Sequence, residues 1–189
     1  MKVFAFGASG SNTSINQKLA LFAANKLPCS TDIELSTLTE DDFDLPLFTA
    51  QKEQELEQTF GNKAHPKAQA FLDNIAAADL VIVSFAEHNG NYSAAFKNLF
   101  DWSTRIEQKI FQNKPTLLLA TSPGARGGKS VLEIAEKSLP RFGAALVGAL
   151  SIPSFFDAFD ENMTLLRNDE LSYKMDTLLK DLLSYAEKA

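Results

Sequence analysis

Short apolar runs alternate along the chain with segments in which apolar residues recur every three or four positions. The runs, typical of buried strands, are residues 2–6, 32–38, 79–85, 115–122 and 144–152. The amphipathic segments, typical of helices, are residues 14–27, 67–78, 93–105, 130–141 and 165–187. Residues 39–66 follow neither pattern, and we interpret them as an irregular insertion or lid. Five strands separated by helices predict a parallel sheet with helices on both faces.

The predicted fold class is therefore α/β, as a three-layer sandwich. Right-handed crossovers leave few orders for five parallel strands, and the flavodoxin-like order 2-1-3-4-5 is the common one. Ligands of such sheets bind outside the carboxyl ends of the strands, beside the switch point between the first and third strands. This rule selects three loops, at residues 7–13, 85–92 and 122–129. We expect a single domain over residues 1–189, because no repeat or linker divides the chain.

Composition and charge narrow the classes of function. A net charge of -6 argues against a non-specific binder of nucleic acid or anionic membranes. The single Cys29 excludes an internal disulfide, and with only His65 and His88 as histidines we expect no metal site. No apolar run approaches the roughly 18 residues of a membrane span, and Met1 is followed by no signal-peptide core. We therefore expect a soluble, cytoplasmic protein.

The first loop is unusually rich in small hydroxyl and amide side chains. They are Ser9, Ser11, Thr13, Ser14 and Asn16. A phosphate at the start of a helix meets free backbone N–H groups and the positive end of the helix dipole, and these side chains add neutral donors. A helix cap would explain one hydroxyl, so we favour a phosphate site. The loop contains neither a G-x-G-x-x-G fingerprint nor a Walker lysine, which suits a retained flavin mononucleotide better than a hydrolysed triphosphate.

The second loop contains Asn89-Gly90, a strong turn signal. We interpret it as a loop without a following strand, because Ser93 begins a helix. Such a loop presents backbone N–H and C=O groups to a flat heteroaromatic ring, with His88 and Tyr92 beside that ring. Trp102, on the following helix, is interpreted as a packing residue.

The third loop has the sequence SPGARGGKS at residues 122–130. Pro123 stands where a Walker loop needs glycine, and proline brings no N–H group. We interpret the loop as a glycine-rich wall against which a planar ring can lie. Arg126 is either a contact to the ligand or a solvated loop residue.

Together the three loops resemble those of the NAD(P)H-dependent FMN reductase family of flavodoxin-like proteins. The matching residues are Ser9, Ser14 and Asn16 in the first motif, Glu87, Asn89, Tyr92, Ser93, Lys97, Asn98, Asp101 and Trp102 in the second, and Ser122, Gly124, Gly127 and Gly128 in the third. The resemblance covers roughly residues 1–150. Ser11, Ala86 and His88 stand where the family usually has Arg, Pro and Tyr, and these departures bear on flavin affinity and substrate range.

The resemblance implies a bound FMN, NADPH or NADH as electron donor, and an acceptor such as a quinone, free flavin, azo compound or metal oxyanion. It also implies a homodimer or homotetramer. No side chain is expected to act as a nucleophile, because the cofactor carries the chemistry. The expected cofactor-binding residues are Ser9, Ser11, Thr13, Ser14, Asn16, Glu87, His88, Asn89, Gly90, Tyr92, Ser122, Gly124, Arg126 and Gly127.

His88 is in addition a candidate modulator of the flavin, because an imidazole changes charge between about pH 5 and 8. Two other functions stay open at this point. One is a flavodoxin-type electron-transfer protein without NAD(P)H oxidase activity. The other is a flavin-free member of the family that acts in protein interaction.

Overall fold

The computed structural model describes residues 1–29, 32–61 and 64–188, without the side chain of Phe60. At its centre is a five-stranded parallel sheet. The strands, in chain order, are β1 (Lys2–Ala8), β2 (Glu34–Ser36), β3 (Leu80–Phe85), β4 (Glu87–His88), β5 (Asn91–Tyr92), β6 (Pro115–Thr121) and β7 (Ala145–Ile152). The central sheet has the order β2-β1-β3-β6-β7, whereas β4 and β5 form a separate antiparallel pair. The predicted order 2-1-3-4-5 is confirmed, since β6 and β7 are the fourth and fifth strands of this sheet.

Helices cover both faces of the sheet. They are α1 (Ile15–Asn25), α2 (Ala50–Phe60), α3 (Pro66–Ala77), α4 (Ala94–Ser103), α5 (Lys129–Ser138), α6 (Phe155–Ala158) and α7 (Asp169–Ala186), and the segments Glu40–Phe43 and Leu139–Phe142 are 3-10 turns. Residues of α1 and α7 pack against one face, and residues of α3, α4 and α5 pack against the other. The predicted three-layer sandwich is confirmed.

The strands divide their side chains between two hydrophobic cores. In β1, Phe4 and Phe6 face the core formed with α3, α4 and α5, whereas Val3 and Ala5 face the core formed with α1 and α7. Every residue of β3 is buried. Both faces of this strand are covered, which explains why its sequence is a continuous apolar run without polar alternation.

The interpretation of residues 39–66 as irregular is wrong in part, because this stretch contains α2. Most side chains of α2 are exposed, and Leu56 is only half-buried against the core. The helix therefore lacks the periodic apolar face on which a prediction from sequence depends.

Caps and an ion pair hold α2 in place. The Thr49 side chain accepts a hydrogen bond from the N–H of Lys52, and Gly61 ends the helix with a left-handed φ of 73°. The carboxylate of Glu53 lies 2.7 Å from Nε of Arg105. These polar interactions do not affect the spacing of apolar residues, so the hydrophobic pattern did not predict the helix.

Two predicted helices differ from the observed ones by more than two residues at one end. The terminal helix begins at Asp169 and not at residue 165, because Asn168 accepts a hydrogen bond from the N–H of Leu171 and caps it. The segment predicted over residues 130–141 is α5 followed by the 3-10 turn Leu139–Phe142, which contains Pro140. Proline lacks the N–H that an α-helix would need at that position.

His65 begins α3 and makes the fold sensitive to acid. Its Nδ1 accepts a hydrogen bond from the N–H of Lys67, and its ring centroid lies 5.4 Å from that of Trp102. Burial, with a smaller contribution from the charge of Lys67, lowers the pKa of His65 below 6.5. Between that lowered pKa and 6.5 the unfolded chain binds more protons than the folded one. The free energy of unfolding therefore falls as the pH falls through this interval.

We expect His65→Asn to weaken this acid sensitivity, because asparagine caps a helix without taking up a proton. Thermal denaturation followed by circular dichroism between neutral and mildly acidic pH measures the effect. The unfolding temperature should fall further for the wild type than for the variant. Parallel falls in both proteins would show that the His65 cap has no part in acid destabilisation.

Candidate functional site

A cleft of about 270 Å³ opens at the carboxyl ends of β1, β3 and β6. It is lined by Ser9, Ser11, Thr13, Ser14, Ile15, Asn16, Ala86, Glu87, His88, Thr121, Ser122 and Pro123. A second cleft of about 220 Å³ shares Ser9 and Ser11 and extends towards residues 37–40. Together the two clefts fall within the roughly 300–1,000 Å³ of small-molecule sites. The structure thus brings residues of the three predicted loops into one cleft.

A larger cavity of about 510 Å³ lies elsewhere, against the edge strand β7 and α7. Its lining residues are Leu146, Val147, Asp181, Ser184, Tyr185 and Lys188. None of these belongs to a loop at the carboxyl edge of the sheet. We therefore place the candidate site in the smaller clefts, where the topology converges.

Hydrogen-bond donors converge on the cleft at the start of α1. Oγ of Ser14 accepts from the N–H of Gln17 at 3.2 Å and caps the helix. Ile15 and Asn16 are the first two helical residues, so their N–H groups have no acceptor within the helix. The hydroxyls of Ser11 and Thr13 lie 3.3 Å apart and are exposed at the rim. Neutral donors and the positive end of the α1 dipole therefore meet at one place.

Asn16 is a buried bridge between three elements. Its side-chain Oδ1 accepts from Oγ of Ser84 at 2.7 Å and from the N–H of Thr121 at 3.0 Å. Its Nδ2 donates to the carbonyl of Thr121 at 3.2 Å, and only 3% of the residue is exposed. The side chain thus fixes the start of α1 to β3 and β6 and forms the floor of the cleft.

Gly7 and Gln17 position the first loop, and the sequence analysis missed Gln17. A Cβ atom at Gly7 would lie 2.4 Å from the backbone nitrogen of Gln17, so glycine allows α1 to pack directly on β1. The N–H of Gly7 donates to Oε1 of Gln17 at 2.6 Å. The sequence signal for this contact is the glycine at the end of the first strand, where a side chain would prevent the close approach.

The second loop is a β-hairpin, so the prediction that no strand follows the Asn89-Gly90 turn is wrong. Glu87 pairs with Tyr92 and His88 pairs with Asn91 in antiparallel register. Asn89 and Gly90 have φ of 53° and 76°, the positive values that a two-residue type I′ turn requires. Strands of two residues carry no hydrophobic pattern, and for that reason the pairing was missed.

Two ring side chains of the hairpin, His88 and Tyr92, have different surroundings. His88 is exposed and lines the cleft. The hydroxyl of Tyr92 lies 2.9 Å from Oγ of Ser138, and its ring packs against Phe85 and Phe96, outside the cleft lining. Burial raises the pKa of Tyr92 above 10.0. The tyrosine thus anchors the hairpin to α5, and His88 is the ring nearest the cleft entrance on this loop.

Glu87 ties the hairpin to the third loop. Its Oε2 accepts from the N–H of Val131 at 3.1 Å, in the first turn of α5. The helix begins after Gly128, which has no side chain to cap it. The Glu87 carboxylate therefore occupies the anion position at the start of α5, where the helix dipole partly offsets its negative charge.

The third loop contributes Ser122 and Pro123 to the cleft lining. Gly127 has a φ of 60°, and a Cβ atom there would lie 2.5 Å from Oγ of Ser151, so this glycine serves packing against β7. The Arg126 guanidinium donates to Oγ of Ser130 and lies outside the cleft lining. The structure therefore brings Ser122 to the cleft, while Arg126, which is exposed, and Gly127, which is buried, lie outside its lining.

A model of the NADPH-dependent FMN reductase family matches residues 1–157. The chain belongs to this family. The recognition made from the three loops is thereby confirmed, as is the prediction that the chain is a member of a reductase family.

Relatives agree with this assignment. The chain is 24% identical to the NADH-dependent flavin reductase subunit 2 of Lactobacillus johnsonii, over 100% of this chain and 99% of that protein. It is 26% identical to an NAD(P)H-dependent FMN reductase of Pseudomonas aeruginosa over 67% of this chain, a match that spans only 63% of the relative. Among solved structures, the flavoenzyme FerB of Paracoccus denitrificans has a TM-score of 0.74 and 21% identity, with 99% of this chain and 97% of that chain covered. The structural likeness shows the same fold.

The helix that carries the second family motif is structural in this member. Nε1 of Trp102 donates to the carbonyl of Pro46 at 2.8 Å, and the indole is fully buried. The amide of Asn98 donates to the same carbonyl and accepts from the N–H of Phe48. The packing role predicted for Trp102 is confirmed.

In the described residues, no helix is both long and apolar enough to cross a membrane.

Proposed function

We propose that the chain binds FMN in this cleft and acts as an NAD(P)H-dependent reductase of a small-molecule acceptor. The observation that carries the proposal is the start of α1, where two N–H groups without an acceptor inside the helix and several hydroxyls line a cleft at the sheet's switch point. The printed names of the relatives, a flavin reductase and an FMN reductase, support the same cofactor. A quinone, free flavin, azo compound or metal oxyanion is the proposed class of acceptor.

The residues present fit FMN. The N–H groups of Ile15 and Asn16, with the hydroxyls of Ser9, Ser11 and Thr13, would hold the phosphate. Glu87 is the one carboxylate in the described lining of the larger cleft, and its Oε2 already accepts from Val131, whereas Glu40 lines the second cleft. Repulsion of the phosphate is therefore limited, although the chain carries a net charge of -6.

The ring would lie between the hairpin and the third loop. Residues 86–88 on one side and Ser122 and Pro123 on the other line the same cleft. A bound FMN would supply the redox chemistry, which is transfer of a hydride from a nicotinamide and of electrons to the acceptor. The chain's own contribution is to hold the phosphate, to fix the ring edge by the rigid hairpin, and to leave one side of the cleft open to substrates.

We further infer that residues 1–189 form a single FMN-binding domain that works in the cytoplasm as a homodimer or homotetramer. The two cores share one continuous sheet, which supports the single domain. Analytical ultracentrifugation of the purified chain measures the oligomeric state, and a monomer at all concentrations would contradict this part.

Calorimetric titration with FMN and FAD tests the cofactor. We expect FMN to bind more tightly, because the donors at α1 suit a terminal phosphate, and the visible spectrum of the complex should bleach on addition of NADPH or NADH. Equal affinity for both flavins, or no binding of FMN, would contradict the proposal. An FMN complex that neither nucleotide bleaches would favour an electron carrier.

A second prediction concerns His88, which is exposed at the cleft. A hydrogen-bond donor at this place would stabilise an anionic reduced flavin, so we expect His88→Phe to slow acceptor reduction. The dissociation constant for FMN should stay within about threefold of the wild-type value, since the phosphate lies at the other end of the ligand. Equal rates in both proteins would show that His88 acts only as a solvated side chain.

A further inference from the structure

The segment between β7 and α7, which contains α6, is anchored in the hydrophobic core. Phe155, Phe159 and Leu166 are at most 4% exposed, and the Phe159 ring lies 5.0 Å from that of Phe22 on α1. Oδ1 of Asp160 accepts from the N–H of Leu165 at 2.7 Å and closes a turn. Buried side chains therefore hold this loop against the α1 and α7 face.

This loop borders the cleft already described. The N–H groups of Ser154 and Phe155 donate to the carbonyls of Gly124 and Ser122, each at 3.0 Å. Next to the loop lies a separate cavity of about 330 Å³. It is lined by Lys18, Phe155, Phe156, Phe159, Asp160, Glu161, Met163 and Arg167. Ile15 lines the first cleft and Lys18 lines this cavity, so less than one turn of α1 separates the two.

The cavity combines an aromatic surface with two cations. Phe156 is 69% exposed, and the edge of its ring is fixed against Phe155 at a centroid distance of 5.4 Å. Lys18 and Arg167 are exposed, and within residues 1–29, 32–61 and 64–188 neither side chain forms an ion pair. A fixed, exposed ring offers a stacking surface for a base, and unpaired cations offer contacts for phosphate.

Two carboxylates also line the cavity, and they are not equivalent. Asp160 already accepts hydrogen bonds from Thr164 and Leu165 within its own turn. Glu161 is exposed. An acidic side chain beside a nucleotide commonly accepts a hydrogen bond from a ribose hydroxyl, so Glu161 suits a ribose between the base and the phosphates.

We propose that this cavity holds the adenosine half of the nicotinamide dinucleotide donor, with adenine on Phe156 and the phosphates at Lys18 and Arg167. The proposal rests on the proposed reductase function. The first turn of α1 separates this cavity from the flavin cleft. The nicotinamide half of a dinucleotide bound here would therefore extend past this turn into the flavin cleft. The contact of Glu161 with the adenosine ribose favours NADH, because a carboxylate there would repel the 2′-phosphate of NADPH.

Calorimetric titration with ADP tests the site without flavin, donor or turnover. We expect ADP to bind the wild type, and Phe156→Ala and Arg167→Gln each to weaken it about five- to tenfold, from lost stacking and a lost charged contact. Tyr173→Ala is the matched aromatic control, since Tyr173 is 74% exposed on α7 and lies outside the cavity. No binding of ADP at millimolar concentration, or equal affinity in all four proteins, would overturn the proposal.

Steady-state kinetics gives a second readout. Phe156→Ala should raise KM for the donor and leave kcat nearly unchanged, because the lost contact is equal in ground state and transition state. FMN affinity and reduction of the bound flavin by dithionite should not change. A failure of FMN to bind the wild type would overturn the reductase function, whereas ADP binding that none of the variants affects overturns only the adenosine site.

Discussion

Asn16→Ala is expected to lower the free energy of unfolding by about 2–4 kcal/mol and to abolish measurable FMN binding. The substitution leaves the Ser84 hydroxyl and both backbone groups of Thr121 without their partner. Ser84 and Thr121 are at most 1% exposed, so water cannot replace the amide without opening the structure. Because the same amide fixes the start of α1, its loss also disperses the N–H groups proposed to hold phosphate.

Asn12→Ala is the matched control. Asn12 lies in the same loop and is exposed, so its replacement should change the free energy of unfolding by less than about 0.5 kcal/mol. Urea denaturation gives the stabilities, and calorimetry gives the FMN affinities. An Asn16→Ala protein as stable as the wild type would contradict the bridging role and return Asn16 to the ligand-donor role expected from the sequence.

A double-mutant cycle with Ser84→Ala separates the bridge from general damage. If Ser84 acts through Asn16, the double variant should be less destabilised than the sum of the two single variants, by about 0.5–3 kcal/mol. Strict additivity would mean that the 2.7 Å hydrogen bond between the two side chains contributes nothing measurable.

The sequence was sufficient for the inner strands β3 and β6, because a strand that is buried on both faces has a continuous apolar sequence. β3 and β6 are buried at every position, and their predicted bounds differ from the observed ones by one residue. α2 shows the opposite case. It is stabilised by Thr49, Gly61 and the Glu53–Arg105 ion pair, whose partners are 52 residues apart. Hydrophobic periodicity carries no information on such interactions.

For the candidate site too, one part could be predicted from the sequence and another could not. The location of the cleft followed from topology, and the density of hydroxyls marked the first loop. Side-chain direction could not be predicted, because it depends on partners distant in the chain. Asn16 meets a strand end 105 residues later, Tyr92 meets Ser138, and Glu87 caps a helix 44 residues later. These residues match the family motif, yet in this structure their side chains join elements of the fold.

Ser11 offers the largest change in FMN affinity from a single exposed position. It lines both clefts, and its hydroxyl lies at the rim beside Thr13. We expect Ser11→Glu to weaken FMN binding about hundredfold and Ser11→Arg to strengthen it about tenfold. Two unit charges about 4 Å apart interact by roughly 4 kcal/mol at an effective dielectric constant of 20, and exposure reduces this to the smaller effects given. The carboxylate is expected to cost more than the guanidinium gains, because it would also compete with the phosphate for the positive end of the α1 dipole.

Riboflavin is the decisive control for Ser11, because it has the same ring and no phosphate. Neither substitution should change riboflavin affinity by more than about twofold, and both effects on FMN should shrink as the salt concentration rises. Calorimetric titrations of the three proteins with FMN and with riboflavin, at low and high salt, measure this directly. If Ser11→Glu weakened riboflavin and FMN equally, the first loop would be acting on the ring or on the fold. A phosphate at the start of α1 requires the two substitutions to act in opposite directions, and only on the phosphorylated flavin.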